Sequence, residues 1–211
     1  MGRAIFIVVE GPSHLQKETI TKLLKQKIDD QTGLDAVILG YPHRTLPDSP
    51  LLAHYLQGNE DLPDQISHHL FSARRWYLGH AVQFFLAHGR PVIVQRYVAT
   101  GHVYTVSQGH FDFEWCKQFD TGLIKPDITI YVERSVALDP EPQIDAPDIY
   151  DTPQMRKRII ECFQQMKETE PNWLTIDLST MNPKQALDHV LPTILGKIND
   201  CRENSRDFLH Y

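Results

Sequence analysis

The feature that most constrains the fold is an apolar strand that leads directly into a loop with a glycine and a lysine, and then into a helix. The strand is predicted at residues 4–10, the loop pattern covers residues 11–19, and a helix is predicted over residues 17–27. A working phosphate-binding loop has the pattern G-x-x-x-x-G-K-[ST] between a strand and a helix. Because Gly11 and Lys17 keep their places in it, the sequence predicts an α/β fold that begins with such a loop.

Two positions of this loop depart from the pattern. Gln16 stands where the second glycine belongs, and a side chain there takes space that the backbone needs to wrap round phosphates. Glu18 stands where a Ser or Thr hydroxyl would ligate Mg²⁺. A carboxylate there would lie against the phosphates and oppose a triphosphate through like charge. The position of the loop therefore indicates a nucleotide kinase, whereas its residues indicate a degenerate Walker A loop.

Short apolar runs rich in Ile and Val alternate with helical stretches along the chain. The predicted strands are residues 4–10, 36–40, 91–96, 128–133 and 173–178. The predicted helices are residues 17–27, 63–87, 113–116, 153–167 and 183–199. Nearly continuous apolar strands are typical of a parallel sheet that is buried on both faces, and their alternation with helices predicts a doubly wound sheet. We expect one domain over residues 1–211, with ligands at the carboxyl ends of the strands.

Composition and spacing exclude several classes of protein. The formal net charge of −6 gives no general basic footprint for nucleic acid. No apolar run approaches the roughly 20 residues that a membrane-spanning helix needs. Cys116, Cys162 and Cys201 share no metal-type spacing, which predicts reduced thiols in a cytoplasmic or nuclear protein. His68 and His69 are adjacent and point in different directions on a helix, so we expect solvated histidines and no metal site.

Two segments stand apart from the predicted sheet. Residues 135–152 are acidic and rich in proline, which predicts an irregular, exposed segment. A long loop inside a compact domain is usually functional or disordered. Residues 201–211 form a polar tail, which we expect to fray.

Further segments, taken in order, resemble one family, the thymidylate kinases of the eukaryotic and large-DNA-virus branch. The segments that carry the resemblance are residues 6–11, 41–45, 70–76, 95–97, 100–104, 115–118, 122–127 and 149–151. The resemblance runs from residue 5 to about residue 195. It implies a P-loop nucleoside monophosphate kinase fold, that is, a five-stranded parallel sheet with helices on both faces. It also implies a lid at about residues 135–152, a homodimer, and a transferase that uses ATP and Mg²⁺ to convert dTMP to dTDP.

The resemblance implies that the dTMP side of the site is largely kept. By motif position, the residues that would contact dTMP are Arg44, Phe71, Arg75, Arg96, Tyr104 and Tyr150. A guanidinium fork suits a phosphate, and a phenyl ring offers a flat face to a pyrimidine. A structural alternative stands beside each role, because the phenyl ring could belong to the core and the arginines could pair with acids.

The same resemblance implies that the triphosphate side is dismantled. Gly11, Lys17 and Thr19 remain to bind a nucleoside triphosphate, and Lys17 and Arg96 remain for catalysis, but Lys17 could instead pair with Glu10 or Glu18. The family residues that are replaced include an acid near the sugar, a catalytic arginine, the loop glycine, the loop hydroxyl and the aspartate of an Asp-Arg-Tyr motif. The replacements are Ser13, His14, Gln16, Glu18 and Gln95.

The lid offers no compensation for these losses. Residues 137–150 contain no arginine or lysine. They contain acids that would repel a polyphosphate, namely Asp139, Glu141, Asp145 and Asp148.

Three hypotheses follow, and we rank them in this order. The first is a pseudoenzyme without cofactor or metal that keeps a pocket for dTMP or a related nucleotide and has a binding or regulatory role. The second is an active, atypical dTMP kinase with ATP and Mg²⁺, in which Glu18 binds the metal and a partner, or a remote arginine such as Arg74 or Arg134, replaces the catalytic arginine. The third is an interaction protein without a ligand, whose acidic segment and tail bind a protein partner.

Overall fold

Five parallel strands form the centre of the fold. In the computed structural model of the chain, the residues whose structure is described are 3–12, 16–40, 50–134, 148–170, 173–204 and 207–211. The strands are β1 Phe6–Glu10, β2 Val37–Gly40, β3 Val92–Gln95, β4 Ile128–Glu133 and β5 Trp173–Asp177. They lie in the order β2-β3-β1-β4-β5, and every neighbouring pair is parallel. The predicted α/β fold with a five-stranded parallel sheet is therefore confirmed.

Helices cover both faces of this sheet. They are α1 Lys17–Thr32, α2 Pro50–Leu56, α3 Asp64–Ala87, α4 Val98–Gln108, α5 Phe113–Asp120, α6 Pro153–Thr169 and α7 Pro183–Asn204. Side chains of β1 alternate between the faces, so Ile7 and Val9 pack with α1 and α7, whereas Phe6 and Val8 pack with α3. Helices α4 and α6 pack on the second face with Tyr131. The alternation follows from the two-residue repeat of a strand.

Two helices differ from the sequence prediction. Helix α4 was not predicted because it contains a glycine and several β-branched residues, which lower helix propensity. It is helical in the fold because Ala99 and Val103 pack into the cluster that also holds α6. Helix α2 was not predicted because it is short, although Pro50 is suited to the first turn of a helix.

The expectation of strands buried on both faces is wrong at the edges of the sheet. Strand β2 is only partly buried, and Ile38 is 37% exposed. Strand β5 is likewise partly buried along most of its length. Both strands have a neighbour on one side only, so fewer side chains cover them.

The tail does not fray in the way we expected. Cys201 belongs to the last turns of α7, and residues 207–211 are hydrogen-bonded to residues 122–125. Residues 135–147, most of the predicted lid, lie outside the described residues. Within the described part of the chain, no helix is long and apolar enough to cross a membrane.

Candidate functional site

The loop after β1 begins at a glycine that the sheet itself requires. Gly11 has φ +136°, and a Cβ atom on it would lie 2.4 Å from the carbonyl oxygen of Val132 in β4. No side chain fits at that distance from backbone. Because the approach of β4 already explains this glycine, its presence is not evidence that the loop binds phosphate.

Lys17 is turned into its own loop. Its side chain is 1% exposed, and Nζ donates a hydrogen bond to the carbonyl oxygen of Pro12. Burial, and secondarily the charge of Arg96, lower the pKa of the lysine well below its ordinary value. Of the two acids that we expected as partners, both of which the structure describes, Glu18 forms its salt bridge with Lys22. Glu10 forms its hydrogen bonds with the start of α4, and its charge acts on Lys17 only as a smaller influence that opposes the lowered pKa. The hydrogen-bond partner of the lysine, Pro12, was not indicated by the sequence.

Glu18 also differs from our expectation. Its side chain is 70% exposed and lies 2.6 Å from Nζ of Lys22, one helical turn further along α1. It therefore does not point into the loop where a phosphate would lie. Thr19 is exposed on the first turn of the same helix. Glu18 and Gln95 both line an open cavity of about 230 Å³ between α1 and the carboxyl ends of β2 and β3.

Glu10 organises the start of α4. Its carboxylate is buried and accepts hydrogen bonds from the backbone N–H of Tyr97 at 2.9 Å and of Thr100 at 3.3 Å. The hydroxyl of Thr100 donates to the second carboxylate oxygen. Burial raises the pKa of this carboxyl, although these hydrogen bonds oppose the rise. Glu10 thus supplies the acceptors that the first turn of a helix lacks.

Arg96, which precedes this helix, has a strained backbone. Its φ is +63°, and it is the only residue other than glycine with positive φ among the described residues. Such a conformation costs on the order of 1–3 kcal/mol and persists only where the surroundings enforce it. The backbone N–H of Arg96 donates to the carbonyl oxygen of Val9 at 2.9 Å, which fixes it at the end of the sheet.

The predicted aromatic and arginine residues of the dTMP side lie together. Nη1 of Arg96 donates to the hydroxyl of Tyr104 at 3.1 Å. The rings of Tyr104 and Tyr150 meet edge to face, with centroids 4.9 Å apart. Phe71 is partly buried against the same cluster. The structure thus places these four residues, from four separate segments of the chain, in one region that we call the wall, and their contact with dTMP stays a prediction from the sequence.

Two residues of this wall were missed by the sequence analysis. The hydroxyls of Tyr55 and Tyr150 are hydrogen-bonded at 3.1 Å, and the amide of Gln108 donates to Tyr55 at 3.0 Å. Tyr55 lies on α2 and Gln108 ends α4, the two helices that were not predicted. Without those helices, no pattern in the sequence brings the three side chains together.

Arg75 is part of a buried ion pair. Its Nε and Nη2 donate to the two carboxylate oxygens of Asp120 at 3.1 Å and 2.6 Å. Asp120 also accepts from Ser72 at 2.8 Å and from Nε2 of His102 at 2.9 Å. Burial acts to raise the pKa of Asp120, but the guanidinium and the hydrogen bonds hold it well below its ordinary value. The alternative that this arginine pairs with an acid is therefore correct, although Asp120 itself was not predicted.

His68 belongs to the same buried region, so the expectation of a solvated histidine is wrong for it. The hydroxyl of Thr105 donates to the carbonyl oxygen of Gly101 at 3.1 Å and lies 2.8 Å from Nδ1 of His68. Burial, with the charge of Arg75, lowers the pKa of His68 from 6.5 to about 4. His69 is exposed, as expected.

Several predicted residues cannot be placed in this site. Arg44, Ser13 and His14 lie outside the described residues, as do all the lid acids except Asp148. Asp148 is folded onto its own turn, where it accepts from the backbone N–H of Tyr150 at 2.9 Å. Burial raises the pKa of this carboxyl, which we had expected to be a free charge. Among the residues that the structure describes, no group of three or more His, Cys, Asp or Glu could hold a metal ion.

The order of the strands and the glycine loop after the central strand define a P-loop fold of the nucleoside monophosphate kinase class. The profile of the thymidylate kinase family matches residues 9–188. Human thymidylate kinase is 33% identical over 178 residues, which is 84% of each chain. The putative thymidylate kinase 251L of Invertebrate iridescent virus 6 is 32% identical over 83% of this chain and 81% of the viral one. The chain belongs to the thymidylate kinase family.

The fold agrees with that membership. The structure of thymidylate kinase from Candida albicans superimposes with a TM-score of 0.84 and covers 99% of both chains. Its sequence is 24% identical to this one, so the superposition supports the fold and no finer property.

Proposed function

We propose that this protein binds dTMP or a closely related nucleoside monophosphate, and that it is impaired or inactive as a kinase and has a binding or regulatory role. The observation that carries the proposal is a contrast between two halves of the site. On the monophosphate side, Tyr104 contacts both the guanidinium of Arg96 and the ring of Tyr150. On the triphosphate side, the ammonium of Lys17 is bonded inside its own loop to Pro12.

The monophosphate half has the chemistry that a pyrimidine nucleotide needs. The guanidinium of Arg96 suits the phosphate, and Phe71 offers an aromatic face to the base. Tyr104 would lie beneath the sugar, and Tyr150 supports its ring edge to face. Arg75 is buried and paired with Asp120, so its contact with dTMP, like that of Arg44, stays a prediction from the sequence.

The triphosphate half lacks several groups at once. Gln16 is exposed at the place of the second glycine, and its side chain does not cap the helix. Glu18 and Gln95 replace the hydroxyl and the aspartate that the family pattern has. The loss of one preorganised contact typically costs about 10²–10³ in rate, so several losses would leave little activity.

The residues at the expected metal position do not fit Mg²⁺ well. Mg²⁺ prefers an octahedral set of oxygens that includes carboxylates. The carboxylate of Glu18 is paired with Lys22, and Gln95 supplies only a neutral amide.

A second candidate function is an active, atypical dTMP kinase that uses ATP and Mg²⁺. It is favoured by one observation, namely that Glu18 and Gln95 line the same cavity. For this candidate to hold, Glu18 would have to leave Lys22 and turn toward a metal. ATP and Mg²⁺ are cofactors of this protein only under this candidate.

Calorimetry and turnover assays separate these functions. We expect dTMP to bind without ATP, and we expect Arg96→Ala to weaken dTMP binding strongly. The control Arg90→Ala removes an exposed arginine that is paired with Asp35 and should leave dTMP binding unchanged. Turnover of dTMP with ATP at ordinary kinase rates would overturn the proposal. If dTMP produced no rise in melting temperature, the third hypothesis, a protein without a ligand, would be favoured instead.

We further propose that the protein is a homodimer that forms through α3. An outward stripe on this helix has heptad-like spacing, and apart from the partly buried Leu70 the described residues leave it exposed. Its members are Ile66, Leu70, Ala73, Tyr77, His80 and Phe84. Tyr77 and Phe84 are 66% and 56% exposed, which is unusual for aromatic residues of a monomer. A second copy of the same helix would cover this stripe through a two-fold axis.

The oligomeric state tests this arrangement. We expect a dimer by light scattering, and Tyr77→Glu with Phe84→Glu should give a monomer. The control Gln83→Glu adds one negative charge at an exposed position beside the stripe and should leave the dimer intact. A monomeric parent protein would contradict the proposal.

Two broader expectations remain proposals. The cysteines Cys116, Cys162 and Cys201 are free, which supports a reducing compartment, and we place the protein in the cytoplasm with the nucleus as the alternative. We treat residues 1–211 as one domain because the helices on both faces share one sheet. A protein partner for the acidic segment stays a prediction from the sequence.

A further inference from the structure

Residues 207–211, which we call the strap, run antiparallel to the loop of residues 122–125. The backbone N–H of Lys125 donates to Leu209 at 2.7 Å, and that of Tyr211 donates to Leu123 at 3.0 Å. Arg3 holds the start of the strap, because its Nε donates to the carbonyl oxygen of Asp207 at 3.0 Å. The strap is thus attached along its length to the loop that leads into β4.

The last side chain of the strap lies against Tyr97. The ring centroids of Tyr211 and Tyr97 are 6.3 Å apart, and the ammonium of Lys125 lies 5.6 Å from the centre of the Tyr211 ring. The hydroxyl of Tyr97 donates to the carbonyl oxygen of Ile124 at 3.2 Å, inside the loop that the strap pairs with. On its other side, Tyr97 meets Phe6 edge to face at 5.5 Å. The strap therefore completes the enclosure of Tyr97, which is 2% exposed.

Tyr97 directly follows Arg96, the residue with the strained backbone. The backbone N–H of Tyr97 is bonded to Glu10, and its ring is held by the strap and the loop. A residue other than glycine at φ +63° stays there only if its neighbours prevent relaxation. If Tyr97 were released, Arg96 would be free to adopt an ordinary φ, and its guanidinium would move away from Tyr104.

We propose that Tyr211 is a positioning residue, which holds Arg96 through Tyr97 in the conformation that receives the phosphate of a nucleoside monophosphate. The ring of Tyr211 carries this role, since the contacts that join it to Tyr97 and Lys125 are ring contacts. The phosphate part of this inference rests on the proposed function. The part of the inference that concerns the backbone of Arg96 does not depend on the proposed function.

Hydrogen exchange tests the backbone part without any ligand. In Tyr211→Ala we expect peptides that cover residues 95–101 to exchange about tenfold faster or more, while peptides of residues 128–133 keep the parent rate. Tyr211→Phe keeps the ring and should match the parent. The control Leu209→Ala alters a strap side chain that is 61% exposed and should also match it. Unchanged exchange at residues 95–101, or equal acceleration throughout the chain, would overturn the proposal.

Calorimetry with dTMP tests the phosphate part. Tyr211→Ala should weaken dTMP binding about tenfold in the parent and not at all further in an Arg96→Ala background, because both changes act on one group. Tyr211→Phe should restore the affinity. Equal weakening in both backgrounds would contradict a role through Arg96. If the parent did not bind dTMP, the proposed function would fail, and the exchange experiment would still decide the role of the strap.

Discussion

Lys17 donates its side-chain hydrogen bond to the carbonyl oxygen of Pro12, five residues earlier in the same loop. The lysine is buried, and burial lowers its pKa well below the ordinary value. The group that would meet a triphosphate is therefore engaged in holding its own loop. This contact is central to our proposal, because it gives Lys17 a structural role in the loop in place of a catalytic one.

Replacing Lys17 by methionine should leave the monophosphate site intact. Met keeps the length of the buried chain but removes a group whose charge is costly to bury, so we expect an unchanged or higher melting temperature and dTMP affinity within about twofold of the parent. Thermal unfolding and calorimetry measure both quantities. The control Lys22→Met removes the exposed partner of Glu18. A dTMP phosphorylation activity that the parent has and Lys17→Met lacks would show that the lysine acts in catalysis.

Restoring the family residues should restore ATP binding. We expect the triple change Gln16→Gly, Glu18→Ser and Gln95→Asp to strengthen binding of ATP with Mg²⁺ by about tenfold or more, with dTMP binding unchanged. Glycine frees the loop backbone, and the hydroxyl and carboxylate supply metal ligands. Gln16→Ala is the matched control, since it shortens the side chain without restoring glycine. ATP binding that is equally weak in both variants would mean that the loop is impaired for another reason.

Breaking the buried ion pair between Arg75 and Asp120 should lower the free energy of unfolding substantially. Asp120→Asn leaves the guanidinium of Arg75 buried without its counter-charge, for which we expect a loss of about 3–5 kcal/mol in the free energy of unfolding, together with weaker dTMP binding. Urea denaturation measures the first effect. The control Asp35→Asn removes an exposed partner of Arg90 and should cost less than about 1 kcal/mol. Equal small losses for both variants would contradict the importance of the pair.

Stability should fall on the acid side of neutrality because of His68. Its pKa is lowered from 6.5 to about 4, so between these values the unfolded chain binds a proton that the folded chain does not. The stability present above pH 6.5 is therefore lost progressively as the pH falls toward 4, on the order of 1–2 kcal/mol by pH 5. Urea denaturation at pH 7 and pH 5 should show this loss in the parent and a smaller one in His68→Gln. The exposed His69→Gln is the control, and an identical pH dependence in all three proteins would disprove the assignment.

The sequence predicted the sheet because its strands are continuous apolar runs. Strand β4 was predicted with the bounds that the structure has, since Ile128–Glu133 is buried along nearly its whole length. Helix α4 was not predicted, because local propensity in Val98–Gln108 is weak and the helix depends on packing against α6. A helix that is stabilised mainly by contacts with distant residues has no local sequence pattern from which it could be predicted.

A site residue could be predicted from the sequence where it belongs to a family motif. It could not be predicted where only a tertiary contact places it at the site. Arg96, Tyr104 and Tyr150 follow from the order of the family segments, and the structure brings them together. Asp120 and the strap residue Tyr211 act on the site through tertiary contacts with no fixed spacing from their partners. The same reason explains Lys17, whose hydrogen-bond partner is a backbone carbonyl, while Glu10 interacts with it only through its charge.

The most direct test of the account is one titration series on the purified protein, with dTMP alone, with ATP and Mg²⁺ alone, and with both together while dTDP is measured. We predict that dTMP binds, that ATP with Mg²⁺ shows no detectable binding at millimolar nucleotide, and that dTDP does not form at a kinase rate. Tight binding of ATP with Mg²⁺, accompanied by dTDP formation at the rate of an ordinary nucleotide kinase, would contradict the central claim.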